Sequence, residues 1–366
     1  MSCDFLALAK SGVQHLMPYQ PGKPIDELER ELGITDIVKL ASNENPLGLS
    51  PKVKALLSDN LDELTRYPDG AAFELRAKVA ATHGVAAEQL VFGNGSNDVL
   101  DLIGMCFLNP DVSAIYSDHA FVVYPLMVKA QGARAIEVPA KDWGHDLDAM
   151  LAAIEPDTRV IFIANPNNPT GTWLGHAEVE RFLKQVPDDV IVVLDEAYSE
   201  YIHSVDYANG IALLKQFDNL IVTRTFSKAY GLAGLRVGCS ISSVAMAGII
   251  NRVRAPFNVN TLAQLAATCV LDDSEYLQQS IAVNDTGRQQ LEAGLSALGY
   301  DFIPSQGNFI SFDTRTDANA VYQALLEKGV IVRPVGPYKM PGFLRVSIGL
   351  EAENQRFLDA LTALAD

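Results

Sequence analysis

Between residues 74 and 255 short β-rich runs alternate with segments of helical length, and that alternation leaves few folds open. The strand candidates are residues 90–92, 113–117, 134–138, 160–164, 190–195, 220–225 and 236–240. Segments such as 74–83, 98–108 and 178–186 lie between them with apolar residues at helical spacing. The pattern predicts an α/β fold, a mostly parallel seven-stranded sheet with helices on both faces. Residues 190–194 are apolar throughout, as a strand covered on both faces must be. In such sheets ligands sit beyond the carboxyl ends of the strands, so polar residues just after strands are the first candidates for chemistry.

From about residue 259 the pattern changes. Long helices over 261–271 and 276–298 precede strands at 308–312, 330–333 and 343–348, with helices over 318–328 and 351–364. This reads as a smaller α+β domain covering 259–366, after a large domain covering 46–258. The first 45 residues carry several Pro and Gly and little periodicity, and are expected to pack near the active site and the small domain, or on a partner subunit.

The charge sum of 28 basic and 45 acidic residues is −17, a field that repels polyanions and argues against nucleic acid or acidic membranes as partners. No apolar run approaches the ~18 residues of a spanning helix. The start of the chain, with Asp4 and an apolar stretch of about five residues, does not read as a signal peptide, so a cytoplasmic location is expected. Cys3, Cys106, Cys239 and Cys269 show no CxxC or metal spacing and read as reduced thiols. The histidines at 15, 83, 119, 145, 176 and 203 show no ligand spacing either, and no metal is expected. GxSxG and HExxH do not occur, so no hydrolase nucleophile elbow or zinc helix can be nominated.

Four constellations follow strands. Gly93-Asn94-Gly95-Ser96-Asn97-Asp98 opens a helix, where free N–H groups suit a phosphate, although Gly and Asn also serve ordinary turns. Asn165-Pro166-Asn167-Asn168-Pro169-Thr170-Gly171 offers more side-chain amides than a turn needs. Asp195-Glu196-Ala197-Tyr198 places a carboxylate at the end of an apolar strand, where it needs a cation or hydrogen-bond donors. Thr225-Phe226-Ser227-Lys228, with Arg236 eight residues on, combines a candidate nucleophilic amine with donors for a phosphate.

Asn-Pro-Thr-Gly after one strand, Asp-x-x-Tyr after the next and Ser-Lys-x-x-Gly-x-x-Gly-x-Arg after another resemble the fold type I pyridoxal-phosphate aminotransferases of class I/II. Tyr19-Gln20, the stretch from Leu40 to Pro46, Arg66-Tyr67-Pro68 and Leu344-Arg345-Val346-Ser347-Ile348-Gly349 are similar to the histidinol-phosphate subgroup in particular.

The resemblance implies pyridoxal 5'-phosphate held covalently on Lys228, which would also shuttle the proton, with Asp195 on the ring nitrogen. Tyr198 and Asn168 would meet the 3′-oxygen, and Phe121 would stack on the ring where many relatives carry Tyr. Gly95, Ser96, Asn97, Thr225, Ser227 and Arg236 would hold the phosphate together with Tyr67 of a second subunit, which implies a homodimer with shared sites. Arg345 would grip the substrate carboxylate, Asn43 would line the substrate site, and Tyr19 and Arg333 would bind a substrate phosphate. The implied reaction is ping-pong transamination between glutamate/2-oxoglutarate and histidinol phosphate/imidazole-acetol phosphate, in histidine biosynthesis. Alternatives are the same chemistry on phenylalanine or tyrosine, a decarboxylase on the same scaffold, and a regulatory module. The last would need an added DNA-binding segment, for which the resemblance, beginning within the first 20 residues, leaves no room.

Overall fold

The structure is a computed structural model and describes residues 3–18 and 21–365. Its strands in chain order are β1 (Val38–Lys39), β2 (Leu90–Gly93), β3 (Ser113–Ser117), β4 (Arg134–Val138), β5 (Thr158–Ala164), β6 (Ile191–Asp195), β7 (Leu220–Thr225), β8 (Gly238–Ile241), β9 (Phe302–Ile303), β10 (Phe309–Asp313), β11 (Val330–Ile331), β12 (Arg333–Pro334) and β13 (Phe343–Ser347). Strands β2 to β8 form a seven-stranded sheet in the order β2-β8-β7-β6-β5-β3-β4. All neighbours pair parallel except β8, which runs antiparallel to both β2 and β7. One core cluster packs each face, Val193 and Phe162 facing one and Leu194 and Ile161 the other, so the side chains alternate between two apolar layers along each central strand.

The carboxyl ends of β2, β3, β5, β6 and β7 therefore reach the same edge of the sheet. Strand β8 begins two residues later than its sequence pattern suggests, because Arg236 adopts a left-handed conformation (φ 58°) that no strand accommodates. That turn sends its side chain back toward the helix Ser96–Phe107.

A second, four-stranded antiparallel sheet, β12-β13-β10-β9, is covered by the helices Ser274–Ala297 and Glu351–Ala365. The expected single strand at 330–333 is two short ones. The chain pairs parallel with β1 through β11, crosses at Val332, and then pairs antiparallel with β13 through β12. The helix Thr261–Val270 packs back against the helices Pro51–Asp59 and Phe73–His83. The segment before residue 45 packs on its own chain: Leu28 and Ala41 join Leu326 and Ile331, and a helix Ile25–Leu32, for which the sequence offered little periodicity, carries Glu27 and Glu31 against Lys23.

Among the described residues no helix is long and apolar enough to cross a membrane, and no cluster of His, Cys, Asp and Glu could hold a metal. All four cysteines are free.

Behind the sheet edge lies a buried charge cluster. Arg224 on β7 bonds Glu196 at 2.6 Å and Glu200 at 3.3 Å, and burial pushes both carboxyls up. Removing the cation leaves two buried carboxylates facing each other, so Arg224→Gln should destabilise the fold by about 3–5 kcal/mol. A lowered urea midpoint checks this; an unchanged midpoint would contradict it.

Candidate active site

One cavity opens at the carboxyl edge of the large sheet and reaches across to the small sheet. It is lined by Asn43, Ser96, Asn97, Phe121, Asn168, Asp195, Tyr198, Thr225, Ser227, Lys228, Arg236, Arg333 and Arg345. Thirteen of the sixteen residues proposed from sequence thus meet at one place. Gly95 lies beside it, Tyr67 does not join it, and Tyr19 lies outside the described residues.

Asp195 ends β6 and is 5% exposed. Burial pushes its carboxyl up, while donors pull it back: Tyr124 Oη at 2.8 Å, Thr223 Oγ1 at 2.9 Å and the backbone N–H of Ala197. Three residues further on, Tyr198 accepts hydrogen bonds from the Asn43 amide at 3.0 Å and the Asn168 amide at 3.1 Å. Burial raises its phenol to about 12, so it stays protonated and its own proton remains to be donated.

Of the three Asn side chains after β5, two hold the turn. Asn165 bonds both backbone groups of Leu174, and Asn167 donates to the His119 carbonyl and to Thr170. Only Asn168 reaches the cavity, where it joins Tyr198 to Arg345.

Lys228 enters after β7, its Nζ 3.3 Å from the Ser42 carbonyl. Asn45 secures its backbone by donating to the carbonyls of Lys228 and Ala229 at 3.4 and 3.0 Å and to Ser280 Oγ at 2.8 Å. Burial, aided by the charges of Arg345 and Arg236, lowers the ammonium from 10.5 to about 8 against the pull of Glu44 and Asp195. A fraction of neutral amine is thus present near neutral pH, as a nucleophile requires.

The opposite end is built for an anion. The helix Ser96–Phe107 begins at Gly95, which has no side chain to cap it and adopts φ 89°; a Cβ there would strike the Arg236 guanidinium. The free N–H groups of that helix start, the hydroxyls of Thr225 and Ser227, and Arg236, 3.4 Å from Ser227 Oγ, surround one space.

Arg333 and Arg345 face each other in the β12–β13 register. Directly opposed residues project from the same sheet face, and both are nearly buried, at 9% and 5% exposed. Arg345 is held by the Ala41 carbonyl at 2.9 Å and by Asn168. Tyr67 is 82% exposed, stacks on Phe257 with ring centroids 4.8 Å apart and does not line its own cavity.

Sequence reasoning did not assign Asn45, Tyr124, Ser42, Glu44 or Tyr338, although the last three also line the cavity. The signal for Tyr124 was its place one helical turn after Phe121; Asn45 lay inside a motif already noticed. Tyr338 ends a single 3-10 turn, Gly336–Tyr338, whose sequence carries no pattern.

Residues 35–361 match the aminotransferase class I and II family, and the chain belongs to that family. A histidinol-phosphate aminotransferase 2 from Pseudomonas aeruginosa is 60% identical over 360 residues, covering 98% of each chain. One from Pseudomonas fluorescens is 58% identical over 363 residues, covering 99% of this chain and 98% of its own. Among solved structures, the histidinol-phosphate aminotransferase of Sinorhizobium meliloti in complex with pyridoxal-5'-phosphate superposes with a TM-score of 0.89 at 28% identity, over 97% of this chain and 96% of that one. The donor set suits such a group: a reactive amine, a buried carboxylate for a ring nitrogen, an aromatic wall and an anion cradle.

The lowered lysine is directly testable. Reductive methylation of the apoprotein should label Lys228 with a midpoint near pH 8, read by peptide mass spectrometry, because only the neutral amine reacts. A midpoint near 10.5 would contradict the burial argument.

Proposed function

We propose that the chain transfers an amino group between glutamate and imidazole-acetol phosphate, giving 2-oxoglutarate and histidinol phosphate or the reverse, with pyridoxal 5'-phosphate held on Lys228. The observation that carries the substrate is the opposed pair Arg333 and Arg345. Both guanidinium groups line the cavity, which therefore presents two cations to what it binds. An ordinary aromatic amino acid brings one carboxylate, whereas histidinol phosphate brings a dianionic phosphate and glutamate brings two carboxylates. The names and full-length identity of the relatives support the same substrate and speak against the aromatic alternative.

When bound, the cofactor supplies an electron sink for the carbon that loses its proton. Lys228 would hold it through its neutral amine and would carry the proton to and from the substrate Cα. Asp195 would pair with the ring nitrogen, and Tyr198, already accepting from two amides, would donate to the 3′-oxygen. Phe121 supplies a stacking face. Gly95, Ser96, Asn97, Thr225, Ser227 and Arg236 bind the phosphate. With glutamate, Arg345 would pair with one carboxylate, Asn43 beside it, and Arg333 with Tyr19 would take the other; with histidinol phosphate, which has no carboxylate, the two arginines and Tyr19 would bind the dianionic phosphate.

The same reading divides the chain into the N-terminal segment 1–45, the cofactor-binding domain 46–258 and the small domain 259–366. It places the enzyme in the cytoplasm, in keeping with its free thiols. It also makes the working unit a homodimer, in which the outward-facing Tyr67 completes the phosphate site of the second copy.

A single-turnover half-reaction tests the substrate. Histidinol phosphate should convert the holoenzyme's visible band much faster than phenylalanine does; comparable rates would favour the aromatic reading. Arg333→Gln should slow histidinol phosphate about 10- to 100-fold, the scale of a charge-assisted hydrogen bond, while sparing phenylalanine. Equal losses would show that Arg333 does not read the phosphate.

The shared site has its own test. Mixing Lys228→Ala chains with Tyr67→Ala chains under subunit exchange should restore part of the activity that each lacks, because one mixed site is then intact. No recovery, with mixed dimers demonstrated by mass, would place Tyr67 outside the neighbouring site.

A further inference from the structure

Tyr124 is fully buried in the first turn of the helix Val123–Gln131. Its ring stacks on Phe162 with centroids 5.0 Å apart and meets Phe121 edge-on at 5.8 Å. A phenylalanine would fill that aromatic slot equally well, so the packing does not account for the hydroxyl. Burying a hydroxyl costs free energy unless it is bonded, and this one bonds Asp195 Oδ2 at 2.8 Å. Thr223 Oγ1 holds the other carboxylate oxygen at 2.9 Å. Each oxygen of Asp195 therefore receives a side-chain hydroxyl, one from the helix that follows Phe121 and one from the neighbouring strand.

We infer that Tyr124 is a positioning residue that sets how the cofactor's ring nitrogen and Asp195 share their proton. The inference rests on the proposed role of Asp195 opposite that nitrogen. A carboxylate only accepts hydrogen bonds, so the phenol donates. Burial and the adjacent carboxylate hold the phenol well above its ordinary range, which keeps its proton in place. Each donated hydrogen bond stabilises the ionised carboxylate and makes it a weaker base. The proton between Asp195 and the ring nitrogen is thereby biased toward the nitrogen, the protonation state in which the ring best accepts electrons. The same side chain presents its ring to Phe121, so one residue links the proposed stacking wall to the partner of the nitrogen. Lys228 and the phosphate cradle have no part in this contact.

Nitrogen NMR of holoenzyme reconstituted with pyridoxal phosphate carrying ¹⁵N in the ring reads the proton directly. Wild type should show a pyridinium-like resonance. Tyr124→Phe keeps the ring and loses the donor, and should move the resonance toward neutral pyridine by an about tenfold change in proton partition, since a donor to a charged group is worth about one pKa unit or more. Thr223→Val should move it the same way. Phe162→Leu, which loosens the packing but keeps the hydroxyl, should lower Tm and leave the resonance in place. If Tyr124→Phe does not fold, Tyr124→Met is the second variant lacking the donor. A folded Tyr124 variant with the wild-type resonance would overturn the inference while leaving the role of Asp195 standing. A wild-type resonance that is already pyridine-like would overturn the role of Asp195 itself, and the inference with it.

Discussion

A carboxylate at the end of a strand buried on both faces cannot remain there unanswered, and much of the site is arranged around answering Asp195. The desolvation cost of such a charge is several kcal/mol. Here it is met by hydroxyls from β7 and from the helix after β3, and by the backbone N–H of Ala197. Because these donors come from different elements, the carboxylate fixes the register of β6 against β7 and the approach of the helix carrying Tyr124. Lys228 and Tyr198 then follow from chain continuity, since both lie within a few residues of the two strand ends.

The second constraint is an excess of positive charge around the cavity. Lys228, Arg236, Arg333 and Arg345 line one cavity whose carboxylates are Asp195 and Glu44. Part of the cost is carried by carbonyls and amides: Ala41 and Asn168 hold Arg345, and Ser42 holds Lys228. Burial first, and then the charges of Arg345 and Arg236, lower the lysine, which the proposed chemistry uses. A cavity lined by four cations and two carboxylates favours anions, which suits the proposed cofactor phosphate and substrate. Arg224, by contrast, is answered within the fold by Glu196 and Glu200, and takes no part in the cavity.

Much of the large sheet was legible because a strand buried on both faces writes itself as an uninterrupted apolar run, and the polar residue that ends it marks the ligand edge. Where boundaries moved, a local cause is visible. Arg236 could not extend β8 because its left-handed backbone turns its guanidinium to the anion cradle. The run over 330–333 broke because its halves pair with different sheets. Of the three amides in the Asn-rich turn only Asn168, the one assigned to the site, reaches it, because backbone groups of Leu174 and His119 claim Asn165 and Asn167.

Residue order alone determined the fold class, the family and most of the side chains at the cavity, because apolar periodicity and motifs after strands are local properties of the chain. What only tertiary structure decided are the partnerships across elements. Asn45 gripping the backbone of Lys228, Asn43 meeting Tyr198, Tyr124 bonding Asp195 and Arg333 standing opposite Arg345 join residues from 12 to 183 positions apart. Such contacts depend on how sheets and helices pack, and packing is set by the summed shape of the cores rather than by any short stretch of sequence. Tyr67 shows the same limit from the other side: its sequence motif assigns it to a site, yet its own chain leaves the ring facing outward.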